Sequence, residues 1–154
     1  MYSVRRFAVR HARSFELLYT TFERGLRLIE PLVRAIGYER LDAPVAAIER
    51  KVKGALFDCQ MCGRCALSST GMACSMNCPK QLRNGPCGGV RGNGQCEVNP
   101  AMRCVWVEAE EGSSRMSRAG SINVVQLPVD RSLANSSSWL RELKNYAPSD
   151  REAA

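Results

Sequence analysis

Eight cysteines lie between residues 59 and 104 of this 154-residue chain. Their spacing is C-x2-C-x2-C-x8-C-x3-C-x8-C-x8-C-x7-C, running through Cys59, Cys62, Cys65, Cys74, Cys78, Cys87, Cys96 and Cys104. Thiols at this density point to metal binding or redox chemistry wherever the surroundings keep them reduced. Eight divide into two sets of four, which suits either two zinc ions or two [4Fe–4S] clusters. The triplet CQMCGRC favours a cluster, because thiolates at three-residue steps reach three corners of one small cube. CSMNCP adds a C-x3-C-P piece of the kind bacterial ferredoxins carry. Zinc sites more often pair two C-x2-C knuckles across a spacer, and no second C-x2-C follows here. Spacing leaves open which four cysteines share a site, since two-cluster ferredoxins interleave their ligands.

The remaining inventory narrows the chemistry. The only histidine, His11, lies far from the cysteines in an Arg-rich stretch. Mixed Cys/His zinc fingers, zinc hydrolase sites and serine–histidine–acid sets are therefore excluded. Glu97 is the sole acid between residues 59 and 104, so paired-carboxylate catalysis is unavailable there. No G-x-G-x-x-G and no phosphate-binding loop is present. The chain is expected to lack a complete active site for an organic substrate. Its net charge is +7, and the basic residues Lys80, Arg83, Arg91 and Arg103 would offset the negative charge of a thiolate-bound cluster. Lys80 and Arg83 are the favoured second layer around the ligands. Gly63, Gly85, Gly88 and Gly89 would let backbone amides approach sulfur closely. Aromatic residues are not interleaved with the basic ones, so a basic zinc module binding nucleic acid is the least favoured reading.

The elements that position these residues fall into three stretches. Residues 1–57 read as a helical docking segment. Leu18, Phe22, Leu26, Ile29 and Val33 recur at helical steps, Pro31 marks a kink or a new first turn, and Gly37 a C-cap. A second helix is expected with Asp42 as N-cap, Pro44 in its first turn and Val45, Ile48, Val52 and Leu56 as its apolar face. Residues 58–107 form a loop-rich eight-cysteine module with little core of its own, for which bound metal replaces hydrophobic burial. Residues 108–154 read as an extended tail, with VWVEAEEG and INVVQLPVD as short strands at and after its start. A short helix follows at SSWLRELKNY, capped by Ser137 or Ser138, with Trp139 and Leu140 as anchors. The fold class expected is a small, irregular α+β protein. No apolar run approaches the about 20 residues that cross a bilayer, and no secretory core is visible, so the cytoplasm is the expected compartment. The Arg-rich start runs straight into a helical pattern and reads as helix rather than a targeting segment.

The module resembles a known family. CQMCGRC, CSMNCPK, LRNGPCGG, GQCEV and CVW, together spanning roughly residues 57–107, are similar to the cysteine-rich C-terminal domain of methylenetetrahydrofolate reductase, with the acetogen-type small subunit as the nearest analogue. That resemblance implies an accessory subunit without chemistry of its own. It would carry two [4Fe–4S] clusters on the eight cysteines and relay electrons from a donor protein to a TIM-barrel flavoprotein partner. The flavin would reside only in the partner, which reduces methylenetetrahydrofolate. Some relatives are described as zinc-binding, so a structural zinc scaffold for a one-carbon complex is the alternative.

Overall fold

The computed structural model describes residues 2–146. Six α-helices carry the architecture: α1 (Tyr2–Arg10), α2 (Ala12–Leu28), α3 (Glu30–Ile36), α4 (Tyr38–Phe57), α5 (Val105–Ser113) and α6 (Ser138–Tyr146). Short 3-10 turns occur at Ser75–Asn77, Ala119–Asn123 and Arg131–Leu133. Among the described residues there is no strand, only an isolated antiparallel bridge between Gln95 and Arg103. The protein is thus mostly helical rather than α+β.

Both expected strands fail for identifiable reasons. VWVEAEEG forms α5, because Val105, Trp106, Ala109, Gly112 and Ser113 bury one helical face. Its glutamates are good helix formers and sit between those positions. The α5 helix also runs across residue 107, the boundary expected between module and tail. In INVVQLPVD, the Asn84 side chain takes the place of a partner strand. Its amide donates to the Gln126 carbonyl at 2.8 Å, and its oxygen accepts from the Gln126 N–H at 2.7 Å.

The helix punctuation follows the local chemistry. Pro31 opens α3, and Gly37 ends it at φ 101°. The α4 helix starts at Tyr38, directly after that glycine, so Pro44 lies inside it and Asp42 is not its cap. Asp42 instead accepts from the Ser137 N–H at 2.9 Å. At α6, Ser137 is the cap, its hydroxyl accepting from the Leu140 N–H at 3.2 Å.

The core is thin and centres on α1. Ala8 and Ala12 pack with Phe57, Leu67, Met72 and Met116, while Val9 packs with Ala73, Val105, Trp106 and Ala109. Small residues let α1 approach α4 and α5 closely. Arg5 fixes its angle, pairing with Glu108 on α5 at 3.2 Å and with Asp58 at 3.9 Å. The expected apolar stripes are only partly covered. Val33 is buried with Leu140 and Leu143, whereas Leu18, Ile29, Ile48 and Val52 remain exposed. Leu140 is buried in that cluster and Trp139 packs on Phe22 with ring centroids 4.7 Å apart, so the tail folds back onto the body.

Two glycines hold α5 in place. A Cβ on Gly112 would collide with the carbonyl of Gly71, and one on Gly71 (φ +58°) with the backbone of Ala109 and Ser113. Gly54 on α4 has nothing within 4 Å. Gly112→Ala should therefore lower stability by about 1–3 kcal/mol through overpacking. Gly54→Ala should raise it by about 0.5–1 kcal/mol through helix propensity. Thermal melts that move both variants in the same direction would contradict this packing.

Candidate metal centre

The eight cysteines sort into two cavities. Cys59, Cys62, Cys65 and Cys74 line one, together with Glu49, Met61 and Arg83. Cys78, Cys87, Cys96 and Cys104 line the other, with Lys80, Glu97 and Trp106. Among the described residues no three Cys, His, Asp or Glu side chains converge on a point that could hold one ion. The two sets are consecutive in the chain, not interleaved.

The first cavity is built where α4 stops. Asp58 takes a left-handed conformation (φ 53°), and the Cys59 N–H donates to the Lys53 carbonyl at 3.3 Å. CQMCGRC then coils back on itself, with Met61 (φ 48°) and Gly63 (φ 76°) both in the left-handed region. A Cβ on Gly63 would collide with the Leu133 carbonyl, so only glycine fits there. Segments from elsewhere clamp this loop. Asn135 N–H donates to the Met61 carbonyl at 2.8 Å, Arg141 donates to the Gly63 carbonyl, and Arg83 donates to the Arg64 carbonyl at 3.1 Å.

The sulfurs sit among donors. Arg83 Nη1 lies 3.7 Å from Cys62 Sγ, and the Met61 N–H lies 3.4 Å from Cys59 Sγ. A hydrogen bond from Cys59 draws the Cys74 thiol below its ordinary range. Burial opposes this, and the Gln60 and Met76 amides and the Arg83 charge reinforce it. The same bond pushes Cys59 up, with burial adding to it. The pair thus shares one proton, with Cys74 the member favoured as thiolate, the form that binds metal.

The second cavity is bracketed by two backbone bonds that flank the Gln95–Arg103 bridge. Cys96 N–H donates to the Met102 carbonyl at 3.0 Å, and Cys104 N–H to the Gly94 carbonyl at 2.9 Å. This brings two cysteines eight positions apart to one wall. Cys104 is also the N-cap residue of α5, so that helix directs its positive end at the cavity. Trp106 is buried, and its Nε1 has no hydrogen-bond partner. A buried donor without a partner on a thiol-lined wall suits a group bearing further acceptors.

Both expected second-layer residues stand beside thiols, one in each cavity. Arg83 is buried at the first. Lys80 pairs with Glu97 at the rim of the second, where the Cys87 thiol lies 3.8 Å from the same carboxylate. Both Lys80 and Glu97 are solvent-exposed, so that pair is screened. Arg103 pairs with Glu111. Of the glycines, Gly89 is packed against the Glu97 carboxylate and Gly85 against the Trp106 indole, while Gly88 has nothing within 4 Å. Sequence reasoning missed Glu49, Lys53, Trp106 and Arg141. For Glu49 and Lys53 a signal existed, their i, i+4 spacing, but it reads equally as a solvated helix face.

Residues 38–132 match the protein family described as "Methylene-tetrahydrofolate reductase C terminal". The chain belongs to this family. The match covers both methylenetetrahydrofolate reductase C-terminal cysteine sets and Glu49, Lys53, Lys80 and Arg83, while α1–α3 and α6 lie outside it. No curated protein and no solved structure matches the chain. No helix among the described residues is long and apolar enough to cross a membrane.

The partition into two sets is directly testable. Cys62→Ser should remove the metal of the first set and leave that of the second, and Cys96→Ser the reverse. Metal content should halve in each and vanish in the double variant. Full loss from either single change would show that the two sets share ligands.

Proposed function

We propose that this chain is an electron-transfer accessory subunit carrying two [4Fe–4S] clusters, one per cysteine set. It would deliver electrons to the flavin of a methylenetetrahydrofolate reductase-like partner in one-carbon metabolism. The observation that carries this reading is the division of the eight thiols, four to each of two cavities, with no histidine in either. The triplet spacing and the unpartnered Trp106 donor favour a multi-atom group over a single ion. When bound, two such clusters pass electrons singly, and a flavin accepts two.

The chain's own residues supply the setting. Met61, Leu67 and Ala66 keep water from the first cavity, and Val105 and Trp106 from the second. Arg83 and the amides of Met61, Gln60 and Met76 offset negative charge at the first set. The helix positive end at Cys104 does so at the second. The two sets are neighbours along the chain. Cys74 and Cys78 flank the single turn Ser75–Asn77, which spans at most about 14 Å even if fully extended. Glu97, the only acid between residues 59 and 104, is held below its ordinary range by the hydrogen bond from Lys80, so it is not poised as a proton donor.

Composition analysis of anaerobically purified protein tests the proposal. It should be brown and bleached by dithionite, with about eight iron and eight sulfide per chain. A colourless protein holding two zinc ions and no sulfide would replace this reading with that of a structural zinc scaffold.

A further inference from the structure

Beside the first thiol cavity lies a charge pair almost sealed from water. Glu49 lines the cavity with Cys59, Cys62, Cys65 and Cys74. Lys53, one turn further along α4, pairs with it at 2.8 Å. Glu49 is 1% exposed and Lys53 2%. Both are fully engaged. Lys53 also donates to Ser138 Oγ at 2.8 Å and lies 5.1 Å from the Trp139 ring centroid. Glu49 accepts further from the Ser138 hydroxyl, from Ser137 Oγ at 2.7 Å and from the Trp139 N–H at 3.3 Å.

Such a pair adds little stability over apolar packing of the same volume, because desolvating two charges offsets their attraction. Its position shows a different use. The α4 helix ends at the first cavity, and a helix C-terminus carries roughly half a negative charge. Its last turn contains no basic residue. An anionic group held by four thiolates at that end meets repulsion, in contrast to the second cavity, which faces the positive end of α5. Lys53 is a buried cation on α4 whose carbonyl accepts from the Cys59 N–H at 3.3 Å and whose ammonium pairs with Glu49 on the cavity wall. Its 2.8 Å pairing with Glu49 and its 2.8 Å bond to Ser138 Oγ hold the ammonium charged against the cost of burial.

We propose that Lys53 sets the reduction potential of the group held by Cys59, Cys62, Cys65 and Cys74, with Glu49 as its anchor and partial counterweight. This rests on the iron–sulfur reading above. A buried positive charge favours the more negative, reduced state and so raises the potential. At the second cavity the exposed Lys80–Glu97 pair is screened by solvent and exerts far less control. The two centres thus have separate electrostatic control, internal for the first and backbone-derived for the second.

The test is a redox titration of the intact holoprotein, followed by electron paramagnetic resonance so that the two centres give separate waves. Lys53→Met should move one wave to lower potential. The reduced-to-oxidised ratio at fixed potential should change about tenfold, which is about 59 mV for one electron. Glu49→Gln keeps the ammonium and removes its counterweight, so it should move the same wave the opposite way. The double variant Lys53→Met/Glu49→Gln strands no charge and carries the test if a single change fails to fold: it should move the same wave to lower potential, by less than Lys53→Met alone. Iron and sulfide content should stay at the wild-type level in any variant scored. Waves that stay put in a folded, fully loaded variant would overturn the role of Lys53 and leave the iron–sulfur reading standing. Waves that move together would overturn it as well. A wild-type protein with zinc and no redox signal would overturn both.

Discussion

A carboxylate and an ammonium hidden from water hold two distant parts of the chain to one another. Glu49 and Lys53 project from one face of α4, and the hydroxyls of Ser137 and Ser138 close over them from the start of α6. Losing one member would strand the other in a medium that cannot solvate it, at a cost of about 3–5 kcal/mol. The arrangement is therefore all-or-none. Either α6 is seated with both serines in place, or the pair must be reached by water. Because α6 also brings Arg141 to the Gly63 carbonyl, the same event fixes the backbone of the first cysteine loop.

The two thiol cavities solve one electrostatic problem in two ways. Each gathers four groups that are negative when deprotonated, and each lies at a helix end. At the second cavity the end is the favourable one, and Cys104 both lines the wall and caps the helix. At the first it is the unfavourable one, and positive charge arrives on side chains, Arg83 from a loop and Lys53 from α4 itself. The polarity of the flanking helix thus accounts for where buried cations are found and where they are not needed.

What could be read from residue order was chemistry more than shape. Eight thiols without a usable histidine narrow the candidate chemistries by type alone. Pro31, Gly37 and the serines before Trp139 mark helix ends because their backbone preferences are intrinsic. The grouping of the cysteines was not legible, since steps of eight residues impose no geometry. It emerges only from the turn at Ser75–Asn77 and the bridge between Gln95 and Arg103. The inward faces of the helices were misjudged for a related reason. Periodicity reveals that a helix has two sides but not which is covered, and here α4 turns Glu49 and Lys53 inward and Ile48 and Val52 outward. The start of α4 was misplaced because Pro44 resembles a first-turn proline, whereas Gly37 had already reversed the chain. The strand-like VWV was overruled by the need to bury Trp106 and Ala109 on one side of a helix.

The consecutive order of the two cysteine sets bears on how the molecule is made. The first set is complete at Cys74, before the second begins at Cys78. During synthesis, at about 5–20 residues per second, the first cavity's ligands are all present before any ligand of the second leaves the ribosome. Interleaved ligands would force both sites to wait for the last cysteine. Yet the residues that close over the first loop, Asn135 and Arg141, emerge after both sets. The first cavity's thiols are thus gathered early and covered late, so that any group they hold would enter before Asn135 and Arg141 are seated.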